Sequence, residues 1–209
     1  MIGMFSLALM STAPAEERQN DVANWDFDVY LNDKKVGKHS FTVAEAGGMR
    51  QVRSEANFNV KFLFISAYRY EHSAAERWSD NCLVEFDAST NANGERIEVS
   101  GERTGAGFLV ERADNPIELP ECVMTFAYWN PEFLEQPRLL NPQTGEYVDV
   151  SVEEVGNELL EVRGQPVAAT RYSLTAREVD LTLWYSPDDE WLALESVAEG
   201  GHIIRYELS

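Results

Sequence analysis

Apolar and polar residues alternate with a period of two through nearly the whole of this chain, and no other feature restricts its fold as much. A β-strand sends successive side chains to opposite faces, so alternation of this kind marks strands with one buried face and one wet face. Trp25, Phe27, Val29 and Leu31 fall on one face, with Asp26 and Asp28 on the other. Asn32-Asp33-Lys34-Lys35 turns the chain into a second strand carrying Phe41 and Val43. Gly47-Gly48 reads as a hairpin turn of the kind that needs positive φ. Phe58, Val60, Phe62 and Phe64 share a face of the next strand, opposite Asn57, Asn59 and Lys61. Tyr68, Tyr70, His72 and Trp78 share a face of the one after, opposite Arg69, Glu71 and Arg77.

The same habit continues to the C-terminus. Residues 82–88 and 96–102 flank the turn Asn91-Ala92-Asn93-Gly94, and Gly105 and Gly107 interrupt the chain before a strand at 108–111. Segments 147–155, 158–162, 167–175, 179–185, 191–197 and 203–208 are each bounded by Gly, Pro or Asp turns. About a dozen short strands at this spacing predict a mainly all-β fold, a curled antiparallel sheet forming a barrel or half-barrel. No linker or composition shift divides the chain, so residues 22–209 are expected to form a single β-barrel-like domain.

Residues 114–142 depart from the pattern. Pro116, Pro120, Pro131, Pro137 and Pro142 punctuate them too densely for long strands. Asn130 as N-cap, with Pro131 at the first helical position, predicts a helical turn through about Gln136. Before it, Val123-Met124-Thr125-Phe126-Ala127-Tyr128-Trp129 is apolar nearly all round and reads as a short helix that must be covered. Residues 121–136 are therefore expected to form a short helical lid across the mouth of the sheet.

Charge and cysteine usage bear on partners and compartment. Lys and Arg number 17 against 36 Asp and Glu, a net charge of −19. Such a field repels nucleic acid and anionic lipid headgroups, so no nucleic-acid partner is expected. No apolar run of about 18 residues is present, which argues against a membrane-spanning helix. The apolar stretch Met1–Met10, followed by small residues at Ala13 and Ala15, reads as a signal peptide over 1–15 with cleavage after Ala15. The expected address is periplasmic or secreted. In that compartment the only two cysteines, Cys82 and Cys122, are expected to form a disulfide; two buried free thiols are the alternative elsewhere.

Motifs for chemistry are missing. His39, His72 and His202 show no metal-ligand spacing, so no metal site is expected. Neither GxSxG nor SxxK occurs, and no glycine-rich phosphate loop is present, so no catalytic residue and no cofactor are assigned. Aligning Asn91, Asn93 and Gly94 to a calcium loop puts Ser89 and Ser100 where carboxylates are needed, and that reading fails. Asp188-Asp189-Glu190 after Pro187 is a solvated turn. Aromatic residues make up 11% of the chain and concentrate on single strand faces and in the expected lid. Most belong in a core, yet a curled sheet too wide to fill leaves an apolar cavity for an acyl chain or similar ligand.

One set of residues carries a family likeness. Gly164-Gln165-Pro166-Val167-Ala168-Ala169-Thr170-Arg171-Tyr172, Leu181-Thr182-Leu183-Trp184-Tyr185, Trp191-Leu192-Ala193-Leu194-Glu195 and Gly200-Gly201-His202-Ile203-Ile204-Arg205-Tyr206 follow one another in order. With Trp25–Leu31 and Val36-Gly37, they resemble an uncharacterised family of exported bacterial proteins, a domain of unknown function. That family is distantly similar to the periplasmic lipoprotein-carrier half-barrels, whose concave face and helical lid hold acyl chains. The resemblance implies a curved antiparallel sheet and export, and it points toward lipid handling; it assigns no catalytic role.

These readings predict an exported soluble protein that binds an apolar or lipid-like small molecule on the concave face of its sheet. The expected ligand-binding residues are Phe58, Phe62, Phe64, Tyr68, Tyr70, Met124, Phe126 and Trp129, with Met124, Phe126 and Trp129 closing the cavity. Two other readings stand beside it. One is a packed-barrel interaction or scaffold protein of the cell envelope; the other is a lipid- or sugar-modifying enzyme working through His72 or His202.

Overall fold

The computed structural model describes residues 22–209 apart from 63, 64, 114 and 178; the side chains of residues 61, 62, 65–67 and 199 also lie outside the description. The expected signal peptide at 1–15 falls outside the described residues. Fifteen strands are present among the described residues. The first seven are β1 (Val22–Leu31), β2 (Lys34–Ala46), β3 (Met49–Phe62), β4 (Ile65–Ser79), β5 (Cys82–Ala92), β6 (Glu95–Arg103) and β7 (Phe108–Glu111). After the short β8 (Ile117–Leu119) comes an insert holding β9 (Arg138–Asn141) and β10 (Glu146–Asp149). The chain then rejoins the sheet with β11 (Ser151–Val162), β12 (Gln165–Ala176), β13 (Val179–Tyr185), β14 (Trp191–Val197) and β15 (Ile203–Leu208).

Thirteen of these strands form one antiparallel sheet in the order β11-β12-β13-β14-β15-β1-β2-β3-β4-β5-β6-β7-β8. The order is a meander in which β15 returns to pair with β1, joining the first and last described strands. Sequential strands paired through tight turns are the low-cost solution for alternating sequences. At Gly47 and Gly48 both residues take positive φ (63° and 78°), a conformation glycine adopts without a Cβ penalty. The sheet curls but does not close, because its outermost strands β8 and β11 have no partner in it on their far sides.

Registers carry rows of inward side chains across the strands. Phe27 lies opposite His39, His39 opposite Ala56, Ala56 opposite His72, and His72 opposite Thr90. In the next row Val29 faces Gly37, Gly37 faces Phe58, and Phe58 faces Tyr70. At Gly101 a Cβ would meet the rings of Phe86 and Phe108 at 2.7 Å. Its absence lets those rings stack at 6.2 Å, an arrangement in which the aromatic pair covers what the glycine leaves open.

The insert fills the curl. Val123, Met124, Ala127, Trp129, Phe133, Leu139 and Leu140 join one buried cluster with strand residues from Phe27 to Leu208. The helical part of residues 121–136 is confined to a 3₁₀ turn at Pro131–Glu135, where the Asn130 side chain accepts from Glu132 N. Residues 123–129 are not the expected helix. Val123 O accepts from Leu83 N, Met124 O accepts from Leu140 N and Thr125 bridges Leu140, whereas Tyr128 N donates to Phe126 O and Asn130 N to Ala127 O, so strands hold the first part of the segment and local turns the second. The C-terminal strands are also divided differently from expectation. Residues 146–149 pair with β9, whereas β11 runs unbroken from Ser151 to Val162, absorbing a bulge at Val155. Cys82 and Cys122 are bonded, with Cα atoms 4.9 Å apart, and fasten the start of the insert to the start of β5.

Candidate functional site

Between the sheet and the insert lies a cavity of about 400 Å³. β2–β4 wall one side, β13–β15 wall the other, and Thr125–Trp129 with Asn141–Gln143 of the insert lie across it. The β4 residues on its wall run from Tyr68 to Glu76, which at about 3.3 Å per residue spans about 26 Å. The space is therefore drawn out along the strand. Tyr68, 39% exposed, stands at its open end, and Glu76, 9% exposed, at its buried end. A groove of about 680 Å³ is larger, but polar side chains of the opposite face such as Arg53, Glu55, Asp87 and Arg112 line it, so it reads as solvated sheet surface.

Five of the eight expected ligand-binding residues line the cavity: Phe58, Tyr68, Tyr70, Phe126 and Trp129. Met124 is buried in the core and is not on the wall. Phe64 and the side chain of Phe62 lie outside the described residues. Alternation explains why the sheet members converge, since Tyr68, Tyr70 and His72 are successive inward positions of β4 and stack at 6.5 and 6.4 Å. Phe58 stacks on Tyr70 across the strand pair at 5.2 Å and meets Tyr206 edge-on at 6.3 Å. From the insert, Trp129 packs edge-on against Trp78 at 5.5 Å, and the Arg50 guanidinium lies 5.0 Å from its ring centre.

Several polar side chains reach this apolar space. His39 Nε2 lies 2.7 Å from the Ser54 hydroxyl and its Nδ1 lies 3.3 Å from that of Tyr206. His72 Nδ1 lies 2.9 Å from the Thr90 hydroxyl. Burial lowers His39 to about 3, with help from the neighbouring His72, and lowers His72 to about 4, so both imidazoles are neutral at pH 7. Glu76 accepts from Trp78 Nε1 at 2.9 Å and from the Thr125 hydroxyl at 3.2 Å. Burial outweighs those two bonds and pushes its carboxyl up to about 7. The Tyr70 hydroxyl donates to Gln143 Oε1 at 2.8 Å, tying β4 to the insert.

The enzyme reading expects a histidine in a cleft beside a carboxylate. His72 and Glu76 are four residues apart on one extended strand, so their Cα atoms are about 13 Å apart. His202, the other histidine considered, is exposed in a turn beside Asn32 and does not line the cavity. Among the described residues no group of three or more His, Cys, Asp or Glu is placed to hold a metal ion.

Sequence reasoning passed over Glu76, His39, Ser54, Tyr128 and Tyr206. Parity was the available signal. Glu76 has the same strand parity as Tyr70, His72 and Trp78, and His39 that of Phe41 and Val43, so each belongs on the apolar face.

The family model described as "Domain of unknown function (DUF6134)" matches residues 27–209. The chain belongs to this DUF6134 family. No curated protein matches it. Among solved structures it is similar to a beta-barrel-like protein of domain of unknown function DUF1849 from Brucella abortus, with a TM-score of 0.62 at 8% identity. That likeness covers 89% of this chain and 94% of the other, and at such identity it concerns the fold alone. The DUF6134 match takes in every strand from β2 to β15, and with them all the described walls of the cavity. Among the described residues no helix is long and apolar enough to cross a membrane.

Proposed function

We propose that this DUF6134 protein is an exported binding protein whose curled sheet holds an apolar, chain-like molecule beneath the 121–136 insert. The observation that carries this reading is the cavity itself, about 400 Å³ drawn out along β4 between walls rich in aromatic rings. Known small-molecule sites of about 300–1,000 Å³ are built in this way, from apolar walls with a few placed polar groups. A long, narrow, largely apolar space suits a flexible hydrocarbon chain better than a compact polar metabolite. A packed scaffold barrel would have no use for it, because an unfilled core of this size forfeits packing contacts throughout its lining. Export accords with the leader-like N-terminus and with a disulfide between the chain's only two cysteines.

Native mass spectrometry of protein purified from a periplasmic extract, with an organic extract of the same sample, tests both parts. The expected result is a stoichiometric adduct on a chain cleaved after Ala15. Phe126→Ala and Phe58→Ala should each lower its retention severalfold while the protein stays folded. A bare mass, with no uptake of any long-chain probe, would overturn the binding reading; an uncleaved cytoplasmic chain would overturn export.

A further inference from the structure

The cavity's charge pattern narrows what it takes. No Lys or Arg side chain lines it among the described residues. Its histidines are neutral, and burial raises Tyr70, Tyr128 and Tyr206 further from ionisation. A carboxylate or phosphate drawn inside would lose its hydration with no cation to replace it, in a protein of net charge −19. At the buried end stands one group with a proton to give, the Glu76 carboxyl. Both of its oxygens accept bonds from neutral donors, Trp78 Nε1 and the Thr125 hydroxyl, and the residue lines the cavity.

The elements packed against Glu76 supply no counter-charge in reach of a ligand. On β3, Val52 lies opposite it, and the next residue along that face, Arg50, is bonded to Asp80 O and Asn81 Oδ1 beneath Trp129. On β5 it faces Phe86, from the insert Thr125, and on its own strand the nearest inward titratable group is His72.

We propose that the cavity selects an uncharged long-chain ester or ketone, whose carbonyl oxygen accepts a hydrogen bond from the Glu76 carboxylic acid at the buried end, and that it rejects fatty-acid anions. This rests on the binding role proposed above and specifies the ligand's polar group. A neutral carboxylic acid kept in an apolar site is a strong donor to a carbonyl. Once ionised it only accepts, so the preference for a carbonyl vanishes.

The test is displacement of a bound fluorescent probe, N-phenyl-1-naphthylamine, by methyl hexadecanoate, hexadecane and hexadecanoate at pH 6 and pH 8.5. At pH 6 the ester should displace the probe at about tenfold lower concentration than the alkane, the worth of one added hydrogen bond. At pH 8.5 that advantage should disappear, and hexadecanoate should be at least about tenfold weaker than the ester. Glu76→Gln, whose amide still donates and does not titrate, should keep the ester's advantage at both pH values. Glu76→Leu should abolish it at both while still binding the probe. Hexadecanoate matching the ester at pH 8.5, or an ester advantage surviving in Glu76→Leu, would overturn the assignment and leave the cavity's binding role intact. Failure of the wild-type protein to take up the probe, with a bare native mass, would overturn the binding role itself.

Discussion

The two wings of the sheet bury different things. On β12–β14 the inward side chains are Leu174, Leu181, Leu183, Tyr185, Trp191 and Leu194. On β2–β5 the same face carries His39, Ser54, His72, Glu76 and Thr90, all buried, among its Phe, Val and Ala residues. Both wings are equally regular and equally paired, so strand formation does not require the polar set. A buried imidazole or carboxyl lowers stability relative to an apolar residue of its shape, even when hydrogen-bonded. The β12–β14 wing gives the cavity a mainly apolar wall; the β2–β5 wing gives it a polar lining at a cost in stability.

The disulfide bears most heavily on this contrast, because it ties the insert to the polar wing. Replacing Cys82 and Cys122 with Ser should remove about 4 kcal/mol, the chain-entropy value for a 40-residue loop. Chemical denaturation of the double variant measures it. Because the insert also packs through Val123, Leu139 and Leu140, the variant should still fold in dilute buffer. An equal midpoint for both proteins would mean that packing alone holds the insert down.

Truncation in the dry wing comes next. Leu183→Ala removes a fully buried side chain from β13, and should lower stability by about 3–4 kcal/mol. Leu183 does not line the cavity, so ligand affinity of the folded protein should be unchanged. Altered affinity would show that the wings are coupled through β13, where Leu181 does line it.

The polar wing should reveal itself through pH. Glu76 is raised from an ordinary 4.5 to about 7. Its contribution is whole below pH 4.5, where folded and unfolded chains both hold the proton. Between 4.5 and 7 only the folded chain holds it, so stability falls with rising pH, by roughly 3 kcal/mol in all. His39 and His72 act the other way. Their folded values of about 3 and about 4 lie below the ordinary 6.5, so their contribution is whole above pH 6.5 and drains away as pH falls. Thermal melts of Glu76→Gln against the wild-type protein isolate the first effect. The variant should gain on the wild type from pH 4.5 to pH 7 and keep a constant margin above it. A margin that does not move with pH would mean that Glu76 reaches water.

How much of this was legible follows from the same contrast. Alternation in residues such as Phe27, Val29, Phe41 and Val43 marks a strand whichever wing it joins, and Gly47-Gly48 and Asn130-Pro131 announce their turns locally. The residues that carried the family likeness, mostly aromatic and turn residues of the C-terminal strands, likewise follow from local pattern. Glu76 was hidden because a carboxylate on a strand reads as outward-facing, and only its parity with His72 and Trp78 says otherwise. Residues 123–129 were hidden for another reason. The path of Val123–Thr125 is held by Leu83 and Leu140, which are distant in sequence, and apolarity all round says only that a segment is buried. β9 lies between Pro137 and Pro142, where local signals favour a turn and only the packing of Leu139 and Leu140 draws out a strand.

The smallest effect tests whether the insert moves at all. Tyr70 belongs to the polar wing, and its hydroxyl donates to Gln143 across the open end of the cavity. Tyr70→Phe keeps the ring that stacks on Phe58 and removes only that bond. Because both groups of the bond are near solvent, the loss in stability should be at most about 1 kcal/mol. If the insert opens at this end to admit a ligand, the bond must break each time, and its removal should speed both uptake and release of a fluorescent probe severalfold in stopped flow. Affinity should change little, since the bond is present with or without ligand. Unchanged rates would mean that the ligand enters without breaking this bond, past the exposed ring of Tyr68 and with the insert in place.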